Sequence, residues 1–179
     1  MIFWRLSGSA LRGLAAGIVI GLLGTGAVAW VAMRPAPQEE GEDWRAAVVE
    51  YMQLYTNDTF ALDGADPAVE AKKLRAVSDK VGAALTPERV TVPGLRFTTA
   101  RILSYDGAPL GEIAYVDAQN APVLFCNIAN GRADGQLRSE RRGDYSLTSW
   151  SHAGRGYLVI GRSPQPQIAE LARTLERRF

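Results

Sequence analysis

The sequence predicts an α+β architecture. A single N-terminal transmembrane helix is followed by a two-layer domain of about five antiparallel strands with helices on one face. Three observations carry this expectation. An uncharged apolar run fills residues 13–33, two segments with helical periodicity lie between residues 44 and 85, and from Val90 the chain turns to β-branched and aromatic runs split by turn signals. The expected organisation is a cytoplasmic N-terminus over 1–12, the transmembrane helix over 13–33, a linker over 34–43 and an outer domain over 44–179.

"GLAAGIVIGLLGTGAVAWVAM", Gly13 to Met33, is 21 residues long without a charge. A helix of ~20 apolar residues spans a bilayer core of about 30 Å. Arg5 and Arg12 precede it, and Arg34 and then the acidic "EEGED" follow. That charge order favours a cytoplasmic N-terminus and an outer domain on the far side. "AVA" at 27–29 also fits a signal-peptidase site behind a basic start. The apolar run continues past it to Met33, which favours an uncleaved anchor, and both alternatives put the later residues across the membrane. Gly13, Gly17 and Gly21 are spaced by four, with Gly24 one turn on, so they share a helix face against which a second helix can pack closely. The bilayer and another transmembrane helix or membrane complex are therefore the expected partners.

"RPAPQEEGED" reads as a Pro/Gly/acidic linker. "EDWRAAVVEYMQLY" then places Trp44, Ala47, Val48, Tyr51, Leu54 and Tyr55 at the spacing of an amphipathic helix, with Asp43 as candidate N-cap. A second helix starts at "DPAVEAKKLRAVSDKVGAAL", where Asp66 caps, Pro67 takes the first turn, and Leu74, Val77, Val81, Ala84 and Leu85 form the stripe. "LRFTTARILSY", "LGEIAYV", "PVLFCNIA", "SLTSWSH" and "YLVIG" read as strands, joined by "DGAP", "AQNAP" and "AGRG" turns. "NGRADGQLRSERRGD" reads as a polar loop, and Gly154 and Gly156 as positive-φ positions around Arg155. "QIAELARTLERR" closes the chain as a helix. Strands so ordered are antiparallel, and helices on one face would leave the other free for docking.

Chemistry finds little to build on. The balance of 20 Lys+Arg against 19 Asp+Glu offers no field for nucleic acid. One cysteine, Cys126, lies in an apolar run and one histidine, His152, at a strand end, so a Cys/His or Ser/His catalytic set is not expected. One Cys and one His do not supply a structural metal site, and phosphate-loop and dinucleotide motifs are missing. The expectation is a non-enzymatic protein without cofactor or metal. Arg138, Arg141 and Arg142 of "LRSERR" could dock an acidic partner.

Three stretches carry a resemblance: "DWRAAVVEYMQLYTNDTFA", "VPGLRFTTARILSYDGAPLGEIAYVD" and "WSHAGRGYLVIG". Over roughly residues 43–175 the chain resembles the periplasmic domain of alphaproteobacterial membrane-anchored anti-sigma factors, also called transmembrane transcriptional regulators. The resemblance implies the fold and a site in the periplasm, on a single pass through the bacterial inner membrane. It places Trp150, Gly154, Gly156 and Tyr157 in a family hairpin with His152 incidental. Trp150, Arg155 and Tyr157 join Arg138, Arg141 and Arg142 as candidate periplasmic interaction residues.

Family members carry a cytoplasmic sigma-binding domain, often with a His-x3-Cys-x2-Cys zinc site. Here "MIFWRLSGSALR" is all that precedes the span, and twelve residues cannot build such a domain. Either the start lies upstream or the regulatory end has been lost. Two functions are thus expected: an anti-sigma-like membrane regulator with a periplasmic binding or sensing domain, or an accessory subunit of an inner-membrane complex, such as a respiratory complex, packing through its glycine strip.

Overall fold

A computed structural model describes residues 43–61, 63 and 66–179. The span expected over 13–33, with Gly13, Gly17, Gly21 and Gly24, and the linker residues 34–42 lie outside the described residues. Among the described residues, no helix is long and apolar enough to cross a membrane.

Helix α1 runs Asp43–Met52, α2 Pro67–Val81 and the short α3 Pro87–Val90. Six strands follow: β1 Arg96–Tyr105, β2 Ala108–Val116, β3 Pro122–Ala129, β4 Gly135–Arg142, β5 Tyr145–His152 and β6 Arg155–Gly161. Helix α4, Gln165–Glu176, ends the domain. The strands form one sheet in the order β1-β2-β3-β6-β5-β4, every pair antiparallel. The α+β class holds.

Local chemistry explains the element ends. The Asp66 carboxylate accepts from the Ala68 and Val69 amides, and Gly82 closes α2 in the left-handed conformation at φ 65°. Asp106 and Gly107, both at positive φ, make the two-residue loop between Tyr105 and Ala108. In the β5–β6 hairpin, Ala153 and Gly154 take positive φ, between paired His152 and Arg155. Gly156 is a strand residue instead. A Cβ there would come 2.8 Å from Asn130 Nδ2 and 3.1 Å from Trp44 Cζ2, so close packing, and not φ, requires glycine.

Two expectations are corrected. The stretch expected as a polar loop contains β4, the sixth strand. It pairs only with β5, and Leu137 is its sole large apolar residue, so it lacks the alternation that marks a half-buried strand. Charged residues along an unpaired edge are a common guard against edge-to-edge association.

The sheet also has no free face. On one side α2, α3 and α4 pack over Ala100, Ile113, Tyr115, Val123, Phe125, Trp150, Tyr157 and Val159. On the other, α1 and the turns after it bring Trp44, Val48, Met52, Tyr55 and Phe60 onto Leu110, Ala114, Leu124, Cys126, Leu147, Leu158 and Ile160. The result is three layers, with helices on both faces. Successive residues of β3 therefore enter opposite cores: Leu124 and Phe125 are both fully buried.

Candidate functional site: a cavity beneath the first helix

A cavity of about 250 Å³ lies between α1 and the sheet. Trp44, Ala47, Val48 and Tyr51 of α1 wall it on one side, and Leu103, Tyr105, Leu110, Glu112 and Cys126 on the other. Glu112 is the exceptional member: a carboxyl group on a central strand, with no exposed surface.

Strand periodicity puts it there. On β2, Leu110, Glu112 and Ala114 alternate onto the α1 face, and Glu112 pairs across the ladder with Arg101 on one side and Cys126 on the other. The turn after α1 supplies its main partner. The Thr56 amide donates to Thr59 Oγ1 at 2.8 Å, and this turn brings Tyr55 and Phe60 inward, ring centroids 5.0 Å apart and edge-to-face. The Tyr55 hydroxyl donates to the Glu112 carboxylate, 3.1 Å from Oε1 and 3.0 Å from Oε2. Arg101 Nη1 donates to Tyr55 Oη at 3.2 Å and lies 3.9 Å from Glu112 Oε1. Its Nη2 holds Asp63 at 2.8 Å, and its guanidinium sits 5.2 Å from the Phe60 ring centre.

Burial raises the Glu112 pKa above its ordinary 4.5, while the Tyr55 hydrogen bond and the Arg101 charge pull the other way. Tyr55 is pushed up by burial first and by the Glu112 charge next. The Cys126 thiol is likewise raised, by burial and then by Glu112, so it stays protonated and unreactive. In the native protein a maleimide should leave Cys126 untouched and react only after denaturation; rapid labelling of folded protein would contradict this burial.

The residues expected to interact with partners separate into two groups. Trp150 and Tyr157 are core residues, 4% and 3% exposed, and form a layer with Phe125 in which the three ring planes lie within 11° of parallel. They cannot form a docking surface. Arg155 donates to the Gly82 carbonyl at 2.8 Å, placing a cation at the C-terminus of α2, where it complements the helix dipole. Its role is to tie β6 to α2. Of the arginines on β4, Arg138 and Arg141 are exposed, and Arg142 pairs with Glu140 at 3.0 Å.

His152 and Cys126 are not brought together. Through the β3–β6–β5 ladder they stand two strands and three residue pairs apart. The His152 ring instead meets Asp134 at 2.9 Å, and Asp134 also accepts from the Ala153 amide at 2.8 Å. That backbone bond, and then His152, hold Asp134 below the usual carboxylate range. The pair fastens the hairpin tip to the segment before β4.

Sequence reasoning did not single out Tyr55, Arg101 or Glu112. One signal was available: "PLGEIAYV" places a glutamate in the middle of an apolar strand, where a charge costs several kcal/mol unless paired. No family model matches the chain, and no curated protein matches it.

Proposed function

We propose that this is a non-enzymatic, single-pass membrane protein whose outer domain binds or senses a ligand in the periplasm, in the manner of the anti-sigma-like regulators it resembles. The observation that carries this reading is the double role of α1. It is the first described element after the linker, and four of its residues wall the cavity that contains Glu112. In this reading a ligand seated there bears on α1, and α1 is joined by about ten residues to the apolar run at 13–33. Occupancy of the cavity would signal by changing how α1 is held.

The second reading is an accessory subunit of an inner-membrane complex, and the spacing of Gly13, Gly17, Gly21 and Gly24 favours it. Gentle solubilisation of native membranes, purification of tagged full-length protein and mass spectrometry of what accompanies it separate the two. The regulator should come alone or with a sigma factor or signalling protease. Recovery with a respiratory or other membrane complex at matching stoichiometry, lost in Gly17→Leu, would replace it with the subunit.

A further inference from the structure

We propose that the outer edge of β4 is a docking site for an acidic segment of another protein, which binds in extended form and adds to the sheet as a seventh strand. This surface is separate from the cavity beneath α1, and its test does not depend on what the cavity holds.

The backbone supplies the attachment. β4 ends the sheet and pairs on one side only, with β5. Arg142 and Tyr145 close this hairpin across the two-residue turn Gly143–Asp144. Arg138, Glu140 and Arg142 therefore bond to β5, while Ser139 and Arg141 turn their N–H and C=O groups outward. Among the described residues, no backbone group outside the sheet meets them. Both residues are exposed, so an incoming strand reaches this edge. The opposite edge differs, because Thr98, Thr99 and Ala100 of β1 are buried.

Charge selects the strand. β4 carries three arginines against one glutamate. Arg142 holds Glu140 at 3.0 Å, and Arg138 and Arg141 are exposed, one on each face. Arg138 pairs across the ladder with Ser149, whose hydroxyl accepts from Arg45 of α1 at 2.7 Å, so Arg138 lies on the α1 face. Ser139 meets Thr148 at 2.9 Å, and Gln165 of α4 donates to Thr148 at 3.2 Å. Ser139 and, two residues on, Arg141 are thus on the α4 face. Acidic groups flank this stretch: Asp144 sits in the turn after it, and Asp134 and Glu176 line a groove at the start of β4. Glu170 of α4 is held by Arg173 at 2.6 Å. A second copy of β4 brings another net-positive edge. An acidic strand brings a carboxylate to each exposed arginine and extends the ladder at the same time.

The antiparallel register opposite Arg142 to Leu137 writes the probe: Thr-Glu-Thr-Val-Glu-Val, its glutamates facing Arg141 and Arg138, with an uncharged fluorophore at its N-terminus. Fluorescence anisotropy with full-length protein in a non-ionic maltoside detergent should show saturable binding. Three changes should each weaken it about fivefold or more. They are glutamine for both glutamates, N-methylation of the valine that faces Ser139, and the double variant Arg138→Ser with Arg141→Ser, checked for folding by circular dichroism. Amide hydrogen exchange at Ser139 and Arg141 should slow when the peptide is bound. No saturable binding to folded wild-type protein overturns the proposal. Equal affinity for the N-methylated peptide would reduce the contact to charge attraction without strand addition, and equal affinity in the folded double variant would place it elsewhere; either result overturns the proposal. Concentration-dependent dimerisation that the double variant loses would give the edge to a second copy, and would overturn it too.

Discussion

Replacing Phe125 by alanine should lower the stability of the domain over 43–179 by about 3–5 kcal/mol. Phe125 has no exposed surface and lies at the centre of the sheet on β3. Its ring stands 6.1 Å from those of Trp150 and Tyr157 and 5.4 Å from that of Phe179. Truncation removes a large buried apolar area and leaves a void. β3 cannot collapse into it, because its ladder with β2 and β6 runs the length of the strand. Folded domains hold only about 5–15 kcal/mol in total, so the loss consumes a large fraction of the margin. Thermal unfolding should shift down by ~10–20 °C. Leu54→Ala, at a side chain 71% exposed, should move it little, about 0.5 kcal/mol or less. Equal effects from the two substitutions would contradict the placement of the core.

Tyr55→Phe should cost about 1–3 kcal/mol, and the loss should grow as pH rises. The hydroxyl is the one described hydrogen-bond donor to the Glu112 carboxylate, and it also accepts from Arg101. Its removal leaves a buried carboxylate with Arg101 at 3.9 Å as its remaining charge partner.

Glu112 has a raised pKa in the folded state, so the folded protein binds more protons than the unfolded chain above pH 4.5. Its contribution to stability is fully present below that value and is lost as pH rises through the folded pKa. The wild type minus Glu112→Gln difference in urea midpoint should therefore fall across that window. Because the Tyr55 bond lowers the Glu112 pKa, its loss moves the window upward and deepens the alkaline cost. Adding Tyr55→Phe to Glu112→Gln should cost less than adding it to wild type, with a coupling of about 0.5–3 kcal/mol. Additive costs would mean that Tyr55 does not act through Glu112.

How much of this was legible in the sequence follows from where the side chains go. The Asp66 cap, the Pro67 start and the Asp106–Gly107 loop are local devices, fixed by residues a few positions apart, and each stands where its sequence places it. The strand β4 was not legible. An edge strand with mostly solvent-facing residues, "GQLRSERR", carries the composition of a loop, and only its pairing with β5 makes it a strand.

The third layer left a trace that a one-sided sheet does not explain. "PVLFCNIA" and "YLVIG" are nearly unbroken apolar runs, and a strand with one wet face would alternate. The site was least legible. Tyr55, Arg101 and Glu112 are 46 and 11 positions apart along the chain, and the β1–β2 register together with the turn at Thr56–Thr59 brings them into contact. Trp150 and Tyr157, expected as interaction residues, are instead pointed by the ladder into the core beside Phe125.

The proposed function requires the domain over 43–179 to be held across a membrane by the apolar run at 13–33. Alkaline phosphatase fused after Phe179 folds only outside the cytoplasm, whereas green fluorescent protein at the same point, exported by the general secretory route, fluoresces only inside it. An active phosphatase fusion, a dark fluorescent fusion, and full-length protein that stays with membranes through alkaline carbonate washing are expected. An inactive phosphatase with a bright fluorescent fusion would put the cavity and its carboxylate on the cytoplasmic side, and would contradict the proposed function.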